Sequence, residues 1–86
     1  MEKVDILLAT YNGVKYIREQ IDSILNQTHI EFRLLISDDG STDGTREVLN
    51  EYQQKDNRIK IFMQESNLGV VKNFEFLLKK VEANYY

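Results

Sequence analysis

With 86 residues, 11 basic against 14 acidic side chains and a net charge of −3, the chain lacks the basic footprint that nucleic-acid binding requires. The absence of cysteine excludes disulfides and thiolate metal centres, and a single histidine argues against a zinc site. A 42% hydrophobic content beside 29% charged residues is that of one ordinary globular domain with room for a modest core.

Met1-Glu2-Lys3 shows none of the regions of a signal peptide and runs directly into Val4-Asp5-Ile6-Leu7-Leu8-Ala9, a mostly apolar first strand expected to be central in its sheet. Thr10-Tyr11-Asn12-Gly13 then breaks the strand with turn residues. From Val14 to Asn26, the residues Val14, Ile17, Ile21, Ile24 and Leu25 recur at helical spacing opposite Lys15, Arg18, Glu19 and Asp22, which predicts an amphipathic helix. Gln27 to Glu31 is a connector in which His29 reads as an exposed loop residue.

The next run carries the most information. Leu34, Leu35 and Ile36 form the continuous apolar stretch of a strand covered on both faces, and it stops abruptly at Asp38-Asp39-Gly40-Ser41-Thr42-Asp43-Gly44-Thr45. Gly40 frees the backbone for a sharp turn. Thr42 is expected to cap a second helix running to about Gln54, with Asp43 in its first turn and Val48, Leu49 and Tyr52 on its inner face. After the polar turn Lys55-Asp56-Asn57-Arg58, the alternating Ile59, Ile61 and Met63 predict an edge-like third strand.

A second loop, Gln64 to Gly69, opens a third helix bearing Val70, Val71, Phe74, Leu77, Leu78 and Val81, with Lys79 and Lys80 suited to its carboxyl end. Asn84-Tyr85-Tyr86 reads as the β-prone start of a fourth strand, while Tyr16, Tyr52, Phe74 and Phe76 read as packing residues. No apolar run approaches the roughly 20 residues needed to span a bilayer, so a soluble, cytoplasmic chain is expected.

Alternating elements of these lengths imply an α/β fold, a parallel sheet with helices on both faces in three layers. Right-handed crossovers make the strand order 3-2-1 the simplest, with a fourth strand beside the first. The loops after the three strands then share one rim, which gathers Thr10, Tyr11, Asn12, Asp38, Asp39, Asn67 and Gly69. Adjacent aspartates at such a rim are costly unless something is bound or hydrogen-bonded there. A solvated turn, a metal site, a receiver-type phosphorylation pocket and a carboxylate accepting the N–H of a nucleotide base all fit the pair alone.

Four segments decide among these readings: Leu8-Ala9-Thr10-Tyr11-Asn12-Gly13, Ser23-Ile24-Leu25-Asn26-Gln27-Thr28, Ser37 to Thr45, and Asn67-Leu68-Gly69-Val70-Val71-Lys72-Asn73. In order and spacing they resemble the N-terminal half of the family 2 inverting glycosyltransferases of GT-A fold, rhamnosyltransferase-like members in particular. The resemblance implies a Rossmann-like nucleotide-binding half of an incomplete catalytic domain over residues 1–86, truncated before the rest of the GT-A fold. It implies a UDP- or dTDP-sugar donor, a saccharide or lipid-linked acceptor in polysaccharide biosynthesis at the cell envelope, and transfer with inversion.

Carried over by position, Ala9, Thr10 and Tyr11 line the base, Asn12 and Gly40 belong to the nucleotide-binding set, Asp39 accepts the pyrimidine imide N–H and Asp38 holds the loop and ribose region. Asn67, Gly69 and Lys72 complete the nucleotide-binding set, with Lys72 or Asn73 expected either to face the diphosphate or to be solvated. No catalytic residue and no metal ligand is assigned to this chain; the Mg²⁺ or Mn²⁺ expected for the full-length enzyme has its ligands beyond Tyr86, so the fragment is expected to be inactive alone. The full-length protein is expected in the cytoplasm or peripherally at the inner face of the membrane. An uncovered first-strand edge, with Tyr85-Tyr86 nearby, is expected to promote a homo-oligomer. A receiver-like signalling domain and a non-catalytic interaction module are the competing readings; the first needs an acid pair after the first strand, where Thr10-Tyr11-Asn12 stands.

Overall fold

The computed structural model describes residues 4–27 and 31–85, so the expectations for Met1 to Lys3, His29 and Tyr86 lie outside the described residues. In chain order the elements are β1 (Val4–Thr10), α1 (Ile17–Gln27), β2 (Phe32–Asp38), α2 (Thr45–Lys55), β3 (Ile59–Met63) and α3 (Val70–Tyr85). The strands form a parallel sheet in the order β1-β2-β3, which is the 3-2-1 arrangement expected. Thr10 pairs with Asp38 and Asp38 with Met63, so all three strands end level and their following loops leave from one rim.

The two faces of β2 have different partners because its side chains alternate across the pleat. Phe32, Leu34 and Ile36 meet Ile17 and Ile21 of α1, Val48 and Leu49 of α2, and Ile59 of β3 in one buried cluster. The opposite face carries Leu35 and Ser37 toward α3, where Leu77 and Asn73 are buried. This division follows from handedness. Both steps from β1 to β2 to β3 move the same way across the sheet, so their right-handed crossovers place α1 and α2 on one face, and α3 returns over the other toward β1. The result is a three-layer α/β/α arrangement.

Polar residues within the strands are paired. Asp5 and Arg33 are register partners on β1 and β2, and the guanidinium grips the carboxylate at 2.9 and 2.7 Å. On the outer edge of β3, the Ile61 amide donates to Gln53 Oε1 of α2 at 2.9 Å, which satisfies an edge donor that would otherwise invite another strand. Arg58 lies 4.5 Å above the Phe32 ring while pairing with Asp56 at 2.7 Å.

Several local expectations are corrected. The second helix starts at Thr45, with Gly44 at the N-cap and φ 98°; this left-handed turn puts Thr42 too far back to cap it. Asn84 and Tyr85 continue α3 instead of opening a strand: helical bonds to residues four back are available locally, whereas a strand needs a neighbour to pair with. That extension leaves Lys79 and Lys80 inside the helix, and Lys80 Nζ sits 5.3 Å from the Phe76 centroid and 5.4 Å from that of Phe62. Phe62 and Phe76 pack edge to face at 5.4 Å, as packing residues should. Tyr16 and Phe74 do not pack: they are 64% and 42% exposed, and Val70 and Val71 are 82% and 69% exposed. The first strand stands at one side of the three-stranded sheet, as the 3-2-1 order requires, and among the described residues no strand pairs with its outer flank.

Candidate functional site

The level strand ends set up the site, and a chain of buried polar contacts fixes it. Asp38, the last residue of β2, is fully buried. Its Oδ1 accepts from the Ser41 hydroxyl at 2.5 Å, and its Oδ2 accepts from the Ser41 amide at 3.0 Å and from Arg46 Nε at 2.9 Å. A second Arg46 nitrogen donates to the Gln64 carbonyl at the end of β3, so one guanidinium ties two strand ends together. An isolated carboxylate buried this deeply would be expensive, and these donors supply what water would have supplied.

Ser41 passes the order on. Its Oγ accepts from the Asn12 amide at 2.8 Å, and Asn12 Oδ1 accepts from the Thr42 amide at 2.8 Å. Asn12 adopts φ 48°, a left-handed conformation that asparagine tolerates better than most residues. Next along, the Gly13 amide donates to Thr45 Oγ1 at 3.1 Å, and the Val14 amide to Asp43 Oδ2 at 3.2 Å. Asp43 Oδ1 in turn accepts from the Thr45 hydroxyl at 2.5 Å and from its amide at 3.1 Å. The loops after β1 and β2 are thus stitched together along their length. The Thr45 hydroxyl, helped by the Val14 and Thr45 amides, holds the Asp43 carboxyl below its ordinary value of 3.8.

Asp39 faces the other way. It is 3% exposed, and its carboxylate joins the third loop: Oδ1 accepts from the Leu68 amide at 2.6 Å and Oδ2 from the Gly69 amide at 3.0 Å. Its own amide donates to the Thr10 carbonyl at 2.9 Å. Asn67 closes the turn, accepting from the Gly69 amide at 3.0 Å, while Gly69 adopts φ 89°. Gly40 adopts φ 82°, so a side chain at either glycine would be strained by the left-handed backbone.

Of the expected site residues, Ala9, Thr10, Tyr11 and Asp39 come together around a cavity of about 70 Å³, closed by Val70 and Asn73 of α3. The Tyr11 ring is 53% exposed at its mouth. Asp38, Asn12, Gly40, Asn67 and Gly69 shape the rim without lining that cavity, and Lys72 is exposed on the first turn of α3, also outside the lining. A larger recess of about 390 Å³ lies between β1 and α1, lined by Leu8, Glu19, Gln20, Ser23 and Ile24, away from the loop network.

Sequence reasoning assigned no site role to Ser41, Asp43, Thr45 and Arg46, and it read Asn73, with Lys72, as facing a diphosphate or solvent, whereas Asn73 is 2% exposed. The first three had a legible signal, since an Asp two residues before a helix start with glycine between them is a local turn-former. Asn73 also had one: it lies four residues before Leu77 on the buried stripe of α3, a polar residue where an apolar one is expected.

The profile of Glycosyl transferase family 2 matches residues 5–86. The chain belongs to that family. Among curated relatives, TuaG of Bacillus subtilis (strain 168), named as a teichuronic acid biosynthesis glycosyltransferase, is 34% identical over 82 residues, 95% of this chain and 32% of that protein. Glycosyltransferase GlyA of Streptococcus pneumoniae is 30% identical across 98% of this chain and 12% of its own length. Among solved structures, S. aureus TarS 1-349 in complex with UDP-GlcNAc matches at TM-score 0.80 and 34% identity, over 92% of this chain and 23% of that one. The Pyrobaculum calidifontis mannosyltransferase PcManGT, in complex with GDP-Man and Mn²⁺, superposes at TM-score 0.80 with 21% identity, over 90% of this chain and 24% of that one, a likeness of fold. The fold is therefore the GT-A fold of glycosyltransferases, and the chain spans about a third or less of the length of these proteins.

Two predictions follow from the loop network. Asp38→Ala strands Arg46 and both Ser41 donors, and should cost about 3 kcal/mol of unfolding free energy in urea denaturation, at the lower end for a broken buried pair because Arg46 is partly exposed and rehydrates. Asp43, with its folded pKa depressed, stabilises the fold above its ordinary value and loses that contribution as pH falls through the lower folded one. In Asp43→Asn the fall of stability below about pH 4 should therefore be shallower than in wild type; identical acid limbs in the two proteins would contradict this role.

Proposed function

We propose that this chain is the nucleotide-binding half of a glycosyltransferase that takes a UDP- or dTDP-sugar as donor and transfers the sugar, with inversion, to a saccharide or lipid-linked acceptor. The observation that carries this reading is Asp39: a buried carboxylate held by two backbone amides, opening on the cavity formed by Ala9, Thr10 and Tyr11. A carboxylate has about four acceptor positions and two are taken, so Asp39 retains capacity for the imide N–H of a uracil or thymine. The exposed Tyr11 ring at the mouth offers a face for stacking. The UDP-GlcNAc complex of the 34% identical TarS supports a uridine donor, and the name of TuaG supports an acceptor in cell-wall polysaccharide synthesis.

The rim does not fit a divalent cation. Asp38 is buried under Ser41 and Arg46, Asp39 is turned to the Leu68 and Gly69 amides, and the described residues hold no group of three or more His, Cys, Asp or Glu side chains around a common point. The Mg²⁺ or Mn²⁺ and the general base that the family reading calls for belong to other parts of the longer protein, and the 86-residue chain alone is inactive. Among the described residues no helix is long and apolar enough to cross a membrane. Placement in the cytoplasm, or peripherally at the membrane's inner face, belongs to the same proposal.

Calorimetric titration tests the reading. UDP and dTDP should bind without added Mn²⁺, GDP should bind more weakly, and Asp39→Ala should weaken UDP by about 10- to 150-fold, the worth of a charge-assisted hydrogen bond. Absence of binding by any pyrimidine nucleotide would favour a non-catalytic interaction module. The open flank of β1, flanked by the exposed Val71, Phe74 and Leu78, is also the proposed seam of a homo-oligomer of this chain. Sedimentation velocity should show mass rising with concentration; a monomer at the highest concentration counts against it.

A further inference from the structure

Asn73 is 2% exposed, and its amide is locked from two directions. Its Nδ2 donates to the Ser37 carbonyl at 3.0 Å, and its Oδ1 accepts from the Ser37 hydroxyl at 2.5 Å. The Ser37 hydroxyl itself accepts from Gln64 Nε2 at 3.1 Å, so its proton is committed to Asn73. The orientation of the amide is chemically determined: a carbonyl only accepts, so the nitrogen of Asn73 must face it, and the flipped amide would set oxygen against oxygen. An amide nitrogen carries two N–H groups. One goes to Ser37; the other has no acceptor among the described residues.

That remaining donor belongs to a residue lining the same 70 Å³ cavity as Asp39. Two residues that line the cavity therefore carry a fixed acceptor and a fixed donor with one N–H unspent, both buried and neither free to reorient. We propose that Asn73 is a specificity-determining residue of the nucleotide site, donating its second N–H to a ring carbonyl oxygen beside the imide N–H that Asp39 accepts. The proposal rests on the pyrimidine reading of the site. A pyrimidine-2,4-dione presents that donor and acceptor side by side. Cytosine presents a bare ring nitrogen where Asp39 requires an N–H, and a buried unpaired donor or acceptor is what makes such discrimination steep.

The test compares UDP, CDP, 2-thio-UDP and 4-thio-UDP by calorimetry on the wild-type chain, because a thiocarbonyl is a poor acceptor. One of the two thio analogues should bind about three- to tenfold more weakly than UDP, the worth of a neutral hydrogen bond, and CDP more weakly still. In Asn73→Ala, UDP should weaken by the same factor and its advantage over that analogue should vanish. As a readout that needs no variant, one of the two Asn73 side-chain amide protons should shift in the NMR spectrum on adding UDP and shift less with the thio analogue. Equal binding of UDP and both thio analogues, a thio penalty that survives in folded Asn73→Ala, or Asn73 amide protons unmoved by bound UDP overturns the assignment and leaves the pyrimidine reading intact. Failure of wild type to bind UDP overturns that reading and this assignment with it.

Discussion

The rim depends on the neutralisation of one carboxylate. Asp38 has no contact with solvent, so its charge must be carried by Ser41 and Arg46, and each of these is committed elsewhere as well: Ser41 to Asn12, Arg46 to Gln64. A single buried charge thereby dictates the positions of three loops. Because the donors come from residues three and eight places along and from the return of β3, the network cannot form until β2, the start of α2 and the end of β3 are all in place. Buried polar groups of this kind contribute little net stability but strongly disfavour alternative arrangements when every member is satisfied.

Asp38 and Asp39 illustrate how neighbours in sequence are given different work by the pleat. Asp38 ends the strand and turns to Ser41 and Arg46 beneath the loop; Asp39, one residue on, turns to α3 and the cavity. The like charges that would repel in a common pocket are separated by the sheet plane, and each is compensated by its own donors. The alternatives left open by the acid pair are narrowed on this ground: a shared metal or phosphorylation pocket needs both carboxylates converging, whereas here they diverge.

Much of this was legible in the residues. Continuous apolar runs marked β1 and β2, alternation marked β3, periodicity marked the amphipathic face of α1, and the level strand ends followed from a parallel sheet with short connections. What was not legible was the assignment of polar partners. Thr42 looked like the cap because Ser and Thr usually serve there, but a left-handed Gly44 moved the helix start beyond its reach. Arg46 received no reading, since nothing local reveals that a helix's second residue will reach a buried strand end. Phe74 read as core because the helical pattern is blind to which flank of the sheet is covered, and it is 42% exposed.

The open flank and the candidate site coincide for a topological reason. With β1, β2 and β3 laid down in one direction and α3 returning on the opposite face, β1 marks the place where the direction of winding reverses, and such switch points are where open α/β sheets bind ligands at their carboxyl ends. The same reversal leaves β1 and the Val71, Phe74 and Leu78 side of α3 uncovered together. A cavity of about 70 Å³ is far below the roughly 300 Å³ or more of a site that encloses a whole small ligand. On the proposed reading these walls take a ring's hydrogen-bonding edge and not a whole sugar diphosphate. On the proposed reading, base recognition is local to three loops, and the groups that would hold a diphosphate and sugar lie outside this cavity's lining.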